Sequence, residues 1–290
     1  ASVYKKYRIV MKMGSFYKFL AVIFSLFYGS LIVFLLQLQY KLGSGDIGSY
    51  LHFFNQFDGK GAPELSLAQD GAFRLTIFFL RDLLSVQALT ILSAFGFITS
   101  TVIAYIFLTS IKSEKRLIYL LPLLAMVFLS PVAQVLFSSN IRSGIAFTIL
   151  MISITYLKGL PRLAFFGLSS IVHFSMIPFV GLYILFHIKN RFSFDGIKLN
   201  NTFTFIVLFF ASIFLAIVGG IVHGDTAVSS SFAYNFLIFY ISFLMIFTDR
   251  RLIKNVYGFI SAGIIFIYFT GIFIDVSYSR YIGNALLLYF

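Results

Sequence analysis

Cysteine and tryptophan are both absent from this chain of 290 residues. Without cysteine there is no disulfide bond, no thiolate nucleophile and no cysteine-ligated metal centre. Acidic residues are few, at 10, and the four histidines show no metal-ligand spacing such as His-Glu-x-x-His. The sequence therefore predicts a protein that binds no metal ion and uses no cofactor.

Charged residues of both signs are also scarce, at 11% of the chain, whereas 60% of the residues are hydrophobic and the mean hydropathy is +0.96. Soluble domains carry roughly 25% charged residues, so this composition excludes an ordinary soluble domain. Several apolar runs reach the roughly 20 residues that a helix needs to cross a bilayer, and none shows the alternation of an outer-membrane barrel. We therefore predict a single all-α, polytopic membrane domain over residues 1–290, with about 8–10 transmembrane helices.

The apolar runs are separated by polar or basic stretches, which mark the predicted loops between spans. Residues 41–82 are predicted to form an external loop, which ends in an interfacial helix at about 72–81 that carries Arg74. The chain stops at Phe290 inside an apolar run, where we expect an incomplete last span. The predicted spans are 16–40, 83–110, 117–137, 142–157, 203–222, 232–248 and 255–275.

Residues 161–187 decide the topology, because they are long enough for one span or for a hairpin of two short helices that turns near His173. With the hairpin, 16 of the 22 Lys and Arg residues fall on the cytoplasmic side and six outside; with a single crossing the division is 11 and 11. Cytoplasmic loops carry the excess of Lys and Arg, so the count favours the hairpin. The net charge of +12 then follows from loop asymmetry, and no nucleic-acid partner is predicted.

The stretch 131–178 holds two polar pairs where polarity is expensive, Asn140-x-Arg142 and His173-x-Ser175. We interpret Asn140, with the two serines before it, as a helix cap and Arg142 as part of the first turn. Arginine opposes the helix dipole there, but a bound anion would use both its charge and the free N–H groups of the turn. The alternative is that Arg142 only marks a membrane boundary and reaches to water.

With the hairpin topology, Arg142, His173, Ser175 and Arg280 line a cavity that opens to the outside and suits an anionic, lipid-linked substrate. Each residue also has a structural alternative. His173 is equally well explained as a buried histidine bonded to a helix carbonyl. For Ser175 the preferred interpretation is a cap for the second half-helix, and the alternative for Arg280 is an ordinary interfacial residue. Asp46 is equally well explained as part of a glycine-rich turn, together with Tyr50.

Several short motifs occur in order along the chain: Asp46-x-x-x-Tyr50 in the first outer loop, Asn140-x-Arg142 with Ala146, His173-x-Ser175 and the late Arg280. This ordered set resembles the EpsG/Wzy-like bacterial polysaccharide polymerases. The chain departs from many relatives at Gly144, where a Gln beside the Arg would be expected.

The resemblance implies a GT-C-like enzyme of the bacterial inner membrane whose active site faces the periplasm. It would transfer a growing glycan from undecaprenyl pyrophosphate to the non-reducing end of a lipid-linked repeat unit, without a metal ion. Its partners would be the lipid-linked oligosaccharide, membrane lipids and a chain-length regulator. We expect Arg142 to stabilise the pyrophosphate and His173 or Asp46 to act as base. The expected substrate contacts are Arg142, Arg280, Asn140, Tyr50, Ser175 and Arg74.

Three other functions stay open at this point. An O-antigen ligase-like transferase would share the donor, but the predicted outer loop 223–231 is short for one. A membrane O-acyltransferase would need a cytoplasmic entry for its acyl donor, whereas the unusual polar residues are predicted to face outside. A lipid-linked glycan flippase or transporter would be expected to show paired repeats and broken helices, and only one broken segment is visible.

Overall fold

The computed structural model describes residues 2–42, 48, 50, 71–83, 85–110, 137, 140–191 and 256–273. All regular structure in these residues is helical, so the all-α prediction is confirmed for them. The helices are α1 (Ser2–Leu42), α2 (Gly71–Phe78) with a π-helical turn (Phe79–Leu83), α3 (Ala88–Ser110), α4 (Ile141–Tyr156), α5 (Gly159–Val172), a 3₁₀ turn (Phe174–Met176), α6 (Ile177–Arg191) and α7 (Val256–Phe273).

The predicted apolar segments coincide with helices wherever the structure describes them. The segment 161–187 is broken at His173, as expected, although the folding of its two halves onto one another stays a prediction. The predicted span 16–40 lies within helix α1, whose long apolar stretch is Tyr17–Leu42. The helix extends back to Ser2 because the basic segment before Gly14 contains no helix breaker. The predicted spans 203–222 and 232–248, and 117–137 apart from Phe137, lie outside the described residues.

Among the described residues, two helical stretches, Tyr17–Leu42 and Ala88–Thr109, are long and apolar enough to cross a membrane. Length and composition alone do not assign them to a membrane, since a core helix of a soluble protein and an N-terminal signal sequence meet the same criteria. The chain forms two compact units, Ala1–His173 and Phe174–Phe290. The assignment of residues 1–290 to one transmembrane domain stays a prediction.

Helices α1 and α3 of the first unit pack closely because glycines remove side chains from their contact. A Cβ added to Gly29 would collide with the Thr101 hydroxyl and lie 3.0 Å from a ring carbon of Phe97. A Cβ added to Gly96 would lie 3.2 Å from the carbonyl oxygen of Phe137. At Gly29 the two helices therefore approach to a distance that a larger residue would not permit, whereas Gly96 makes room for the backbone of Phe137.

Two contacts at one end of this unit give the directions of its helices. The Tyr17 hydroxyl donates to the carbonyl of Leu108, so the first half of α1 meets the end of α3, and α1 continues toward Ser2 beyond this contact. The hydroxyls of Thr109 and Tyr156 lie 3.5 Å apart, so α3 and α4 end side by side. We refer to this side as the Tyr156 end and to the opposite side, where α4 begins, as the Arg142 end.

Helices α4 and α5 form an antiparallel pair joined by Leu157 and Lys158. The Ser153 hydroxyl donates to the carbonyl of Arg162 at 3.1 Å, and Arg162 Nε donates to the carbonyl of Ser153 at 3.2 Å. Gly159 starts α5 with φ +61°, a conformation that favours glycine. This tight connection lies at the Tyr156 end, so α5 runs back toward the Arg142 end.

In the second unit α6 packs against α7. A Cβ added to Gly263 would lie 2.5 Å from a methyl carbon of Leu182, and the rings of Phe186 and Phe259 have centroids 5.4 Å apart. Both helices are apolar along this contact, so their packing follows from burial of hydrocarbon surface and close approach at a glycine.

Candidate functional site

Arg142 is the second residue of α4, so its predicted place in a first helical turn is confirmed. Asn140 occupies the N-cap position, and the N–H of Gly144 donates to its carbonyl at 3.1 Å. The Asn140 side chain makes no capping hydrogen bond, which corrects the prediction that it caps the helix. The first-turn N–H groups of α4 therefore gain nothing from this side chain, and they keep the partial positive charge of a helix N-terminus.

Tyr50 lies against the guanidinium of Arg142, although 92 residues separate them in sequence. The Nε–H of Arg142 donates to the Tyr50 hydroxyl at 3.2 Å, and the guanidinium carbon lies 5.3 Å from the centroid of the tyrosine ring. The tyrosine thus offers both an acceptor oxygen and the negative face of its ring to the cation. Arg142 is half-buried and Tyr50 is only 5% exposed, so the contact is shielded from bulk solvent.

The position of Tyr50 is fixed by apolar packing. Its ring centroid lies 5.8 Å from that of Phe73 in α2, and the two rings are tilted by 57°. Phe73 was not expected to take part, because nothing in the sequence pairs an aromatic residue of the surface helix with the loop before it. The surrounding buried cluster consists of Leu36, Tyr50, Phe73, Ile77, Ile91, Leu92 and Ile141.

His173 lies at the same end of the α4–α5 pair as Arg142. Arg142 stands 15 residues before Leu157, and His173 stands 15 residues after Lys158, so the two are level along the antiparallel pair. At 1.5 Å per residue each lies about 22 Å from the connection. The sequence predicted that these residues share one side, and the helix directions agree with it.

The backbone breaks at His173 because this residue is extended, with φ −152° and ψ 118°, while its N–H still donates to the carbonyl of Ser169 at 3.1 Å. The residue is 6% exposed. Both open interpretations of His173, as a catalytic base and as a buried structural histidine, are compatible with this burial. The structure therefore places the imidazole at the end of a helix without assigning its role.

Ser175 belongs to the second unit and lies within the 3₁₀ turn that precedes α6. Its hydroxyl is buried and makes no hydrogen bond, so the interpretation as a helix cap is wrong. A cap occupies the extended position just before a helical segment. Before the 3₁₀ turn that leads into α6, this position is held by His173 and not by Ser175. The proposed substrate contact of Ser175 stays a prediction.

The other predicted site residues are not placed by the structure. Asp46 and Arg280 lie outside the described residues, and Arg74 lies in α2 with an undescribed side chain. In the part of the chain that is described, no three His, Cys, Asp or Glu side chains come close enough to hold a metal ion. The site that can be built therefore consists of Arg142, Tyr50 and the first turn of α4, with His173 at the same end.

Comparison with known proteins adds no family to this description. No family model matches the sequence, and neither the curated proteins nor the solved structures yield a significant match. The resemblance to the EpsG/Wzy-like polymerases therefore stays a prediction, and the function is argued from the site alone.

Proposed function

We propose that the chain is a multi-pass protein of the bacterial cytoplasmic membrane. Large apolar side chains on α1 point away from the protein: Phe19, Phe27 and Phe34 are 60%, 69% and 61% exposed. Contiguous apolar surface of this kind is rare on soluble monomers, whereas hydrocarbon chains cover it without penalty. The exposed apolar face of α1 thus favours a lipid environment over the core of a soluble protein.

The Tyr156 end is the cytoplasmic side in this proposal. Helix α1 begins there with the basic segment 5–12, and the α4–α5 connection adds Lys158 and Arg162. Positively charged residues accumulate on the cytoplasmic side of membrane proteins. The Arg142 end then faces the periplasm or outer surface.

Arg142 and His173 lie below the outer membrane surface in this orientation. Helices α4 and α5 have 16 and 14 residues, about 24 and 21 Å, and so fall short of the roughly 30 Å hydrocarbon core. If their connection lies at the inner interface, both residues are roughly 8 Å beneath the outer one. A cation at this depth requires partners, and such residues usually serve function.

The function that these features support best is glycan transfer from a lipid-linked diphosphate. The acceptor hydroxyl oxygen attacks the anomeric carbon of the donor glycan, its proton passes to His173, and the bond to the diphosphate oxygen breaks. Undecaprenyl diphosphate leaves with the bonding electrons. Arg142 and the first-turn N–H groups of α4 stabilise the charge that develops on it. Asp46 is the alternative base.

The observation that carries the proposal is the position of Arg142. Tyr50 holds this arginine in the first turn of α4, where the Asn140 side chain makes no capping hydrogen bond. Arginine in a first turn is unfavourable for the helix alone, and its charge becomes favourable when an anion binds between it and the N–H groups. Its planar fork matches the oxygens of a phosphate better than a lysine ammonium does. Arg142 and these N–H groups would stabilise the diphosphate as a leaving group without a metal ion.

The test compares polymer made by cells that lack the native enzyme and carry single variants. Arg142→Lys keeps the charge but removes the planar fork, so we expect polymer synthesis to fall about a hundred- to a thousandfold. His173→Ala should abolish polymer at normal membrane abundance. Lys41→Ala, at an exposed cation on the same side, is the matched control and should leave polymer length unchanged. Full-length polymer from the Arg142→Lys and His173→Ala cells would refute the proposed function.

A further inference from the structure

Three segments that are distant in sequence are linked through Tyr50. Arg142 comes from the first turn of α4, Tyr50 from the segment that follows α1, and Phe73 from α2. The tyrosine receives the Nε–H at 3.2 Å, lies with its ring 5.3 Å from the guanidinium carbon, and rests against Phe73 at 5.8 Å. The arginine is thus held from one side by Tyr50, and Phe73 packs against the tyrosine ring at a tilt of 57°.

This arrangement restrains the guanidinium of Arg142 in two ways. The hydrogen bond fixes the distance and direction of Nε, and the ring face opposes displacement of the cation. Phe73 and the buried cluster around it keep the tyrosine ring from moving away. An arginine ordered in advance loses less side-chain entropy when it binds an anion, which strengthens binding without any further contact.

We propose that Tyr50 is a positioning residue, which presets the Arg142 guanidinium for the diphosphate of the lipid-linked donor and is itself held by Phe73. The inference rests on the proposed function and adds to it a division of labour. Arg142 contacts the anion, whereas Tyr50 acts through Arg142; the direct sugar or pyrophosphate contact predicted for Tyr50 stays a prediction. The diphosphate site is then a composite of α4 and the segment that precedes α3.

The test is a double-mutant cycle on the purified full chain in detergent, titrated calorimetrically with farnesyl diphosphate and, as the uncharged control, with farnesol. Tyr50→Phe keeps the ring and removes the acceptor oxygen, so we expect about tenfold weaker diphosphate binding. Tyr50→Leu removes the ring as well and should weaken it about a hundredfold. Tyr183→Phe, at a buried hydrogen-bonded tyrosine of α6, is the matched control and should bind as the parent chain does.

The decisive comparison is made in the Arg142→Lys background. Lysine has no Nε–H and no plane to align, so Tyr50→Phe should change the affinity of this variant less than about twofold. The effects of the Tyr50 and Arg142 substitutions on binding free energy should therefore not be additive. A tyrosine with only a structural role would give additive effects, because independent effects on folding add. A thermal unfolding profile of each variant shows that the affinity losses come from folded protein.

Two failures are distinguishable. If the parent chain binds farnesyl diphosphate no better than farnesol, the diphosphate site and with it the proposed function are refuted. If the parent chain binds and Arg142→Lys weakens binding, but Tyr50→Phe has no effect or acts equally in both backgrounds, the positioning role is overturned and the proposed function stands.

Discussion

The close approach of α1 and α3 gives a stability prediction whose magnitude follows from the packing. In Gly29→Ala the new methyl group would overlap the Thr101 hydroxyl and lie 3.0 and 3.1 Å from two ring carbons of Phe97. Overpacking of this kind destabilises a folded protein by typically about 1–3 kcal/mol. Replacing a glycine inside a helix by alanine also stabilises the helix by about 1 kcal/mol, which partly offsets the loss.

Gly167→Ala separates these two contributions. Gly167 lies inside α5, and a Cβ added there would meet nothing within 4 Å. The alanine gain is common to both variants, so the difference between their free energies of unfolding isolates the overlap at Gly29, about 1–3 kcal/mol. We expect Gly167→Ala to be more stable than the parent chain and Gly29→Ala to be the less stable of the two variants.

The assay is thermal unfolding of both purified variants in the same detergent, followed by circular dichroism. A difference of 1–3 kcal/mol corresponds to a separation of roughly 2–10 °C in Tm for a chain of this size class. Adding Thr101→Ala to Gly29→Ala removes one of the overlapping groups and should recover part of the loss. Equal Tm values for the Gly29→Ala and Gly167→Ala proteins would refute the close packing of α1 on α3.

Three further predictions follow from other features. Thr101 Oγ1 is buried without a hydrogen-bond partner, so Thr101→Val should raise stability by about 1 kcal/mol in the same unfolding assay, and a lower Tm would contradict this. The chain has no cysteine, so single introduced cysteines can report topology. An impermeant thiol reagent added to intact cells should label Lys41→Cys but neither Lys158→Cys nor cysteines in 188–202. The reverse labelling pattern would invert the proposed orientation. Glycan transfer should survive EDTA; loss that a divalent ion restores would direct attention to Asp46, Glu64 and Asp70.

Much of the helical layout could be predicted because it depends on local composition. Long apolar runs fixed the approximate bounds of α3, α4 and α7, and the polar His173 inside an apolar segment marked the break between α5 and α6. Arg142 was expected in a first turn because Asn and Ser precede it, residues that favour N-cap positions. These inferences use neighbours in sequence, which is why they agree with the structure.

The contacts of the candidate site depend on tertiary structure and could not be predicted in the same way. Asp46 and Tyr50 were grouped as a sequence motif, but only the meeting of α4 with the segment after α1 brings Tyr50 to Arg142. Residue type alone does not decide whether a side chain caps a helix. Asn140 stands at the N-cap position, but its side chain makes no capping hydrogen bond. Ser175 lies inside the 3₁₀ turn and not at the position before it.

The pairing of α4 with α5 through a connection of two residues makes the chain length between Arg142 and His173 a geometric constraint. Ser153 and Arg162 lock the pair beside the connection, so one residue inserted in α4 would turn Arg142 by about 100° around the helix and displace it by about 1.5 Å. The identities of the intervening apolar residues can drift without this effect. Arg142 and His173 are 31 positions apart in the sequence. Among diverged relatives we therefore expect this spacing to be kept even where the residues between the arginine and the histidine differ.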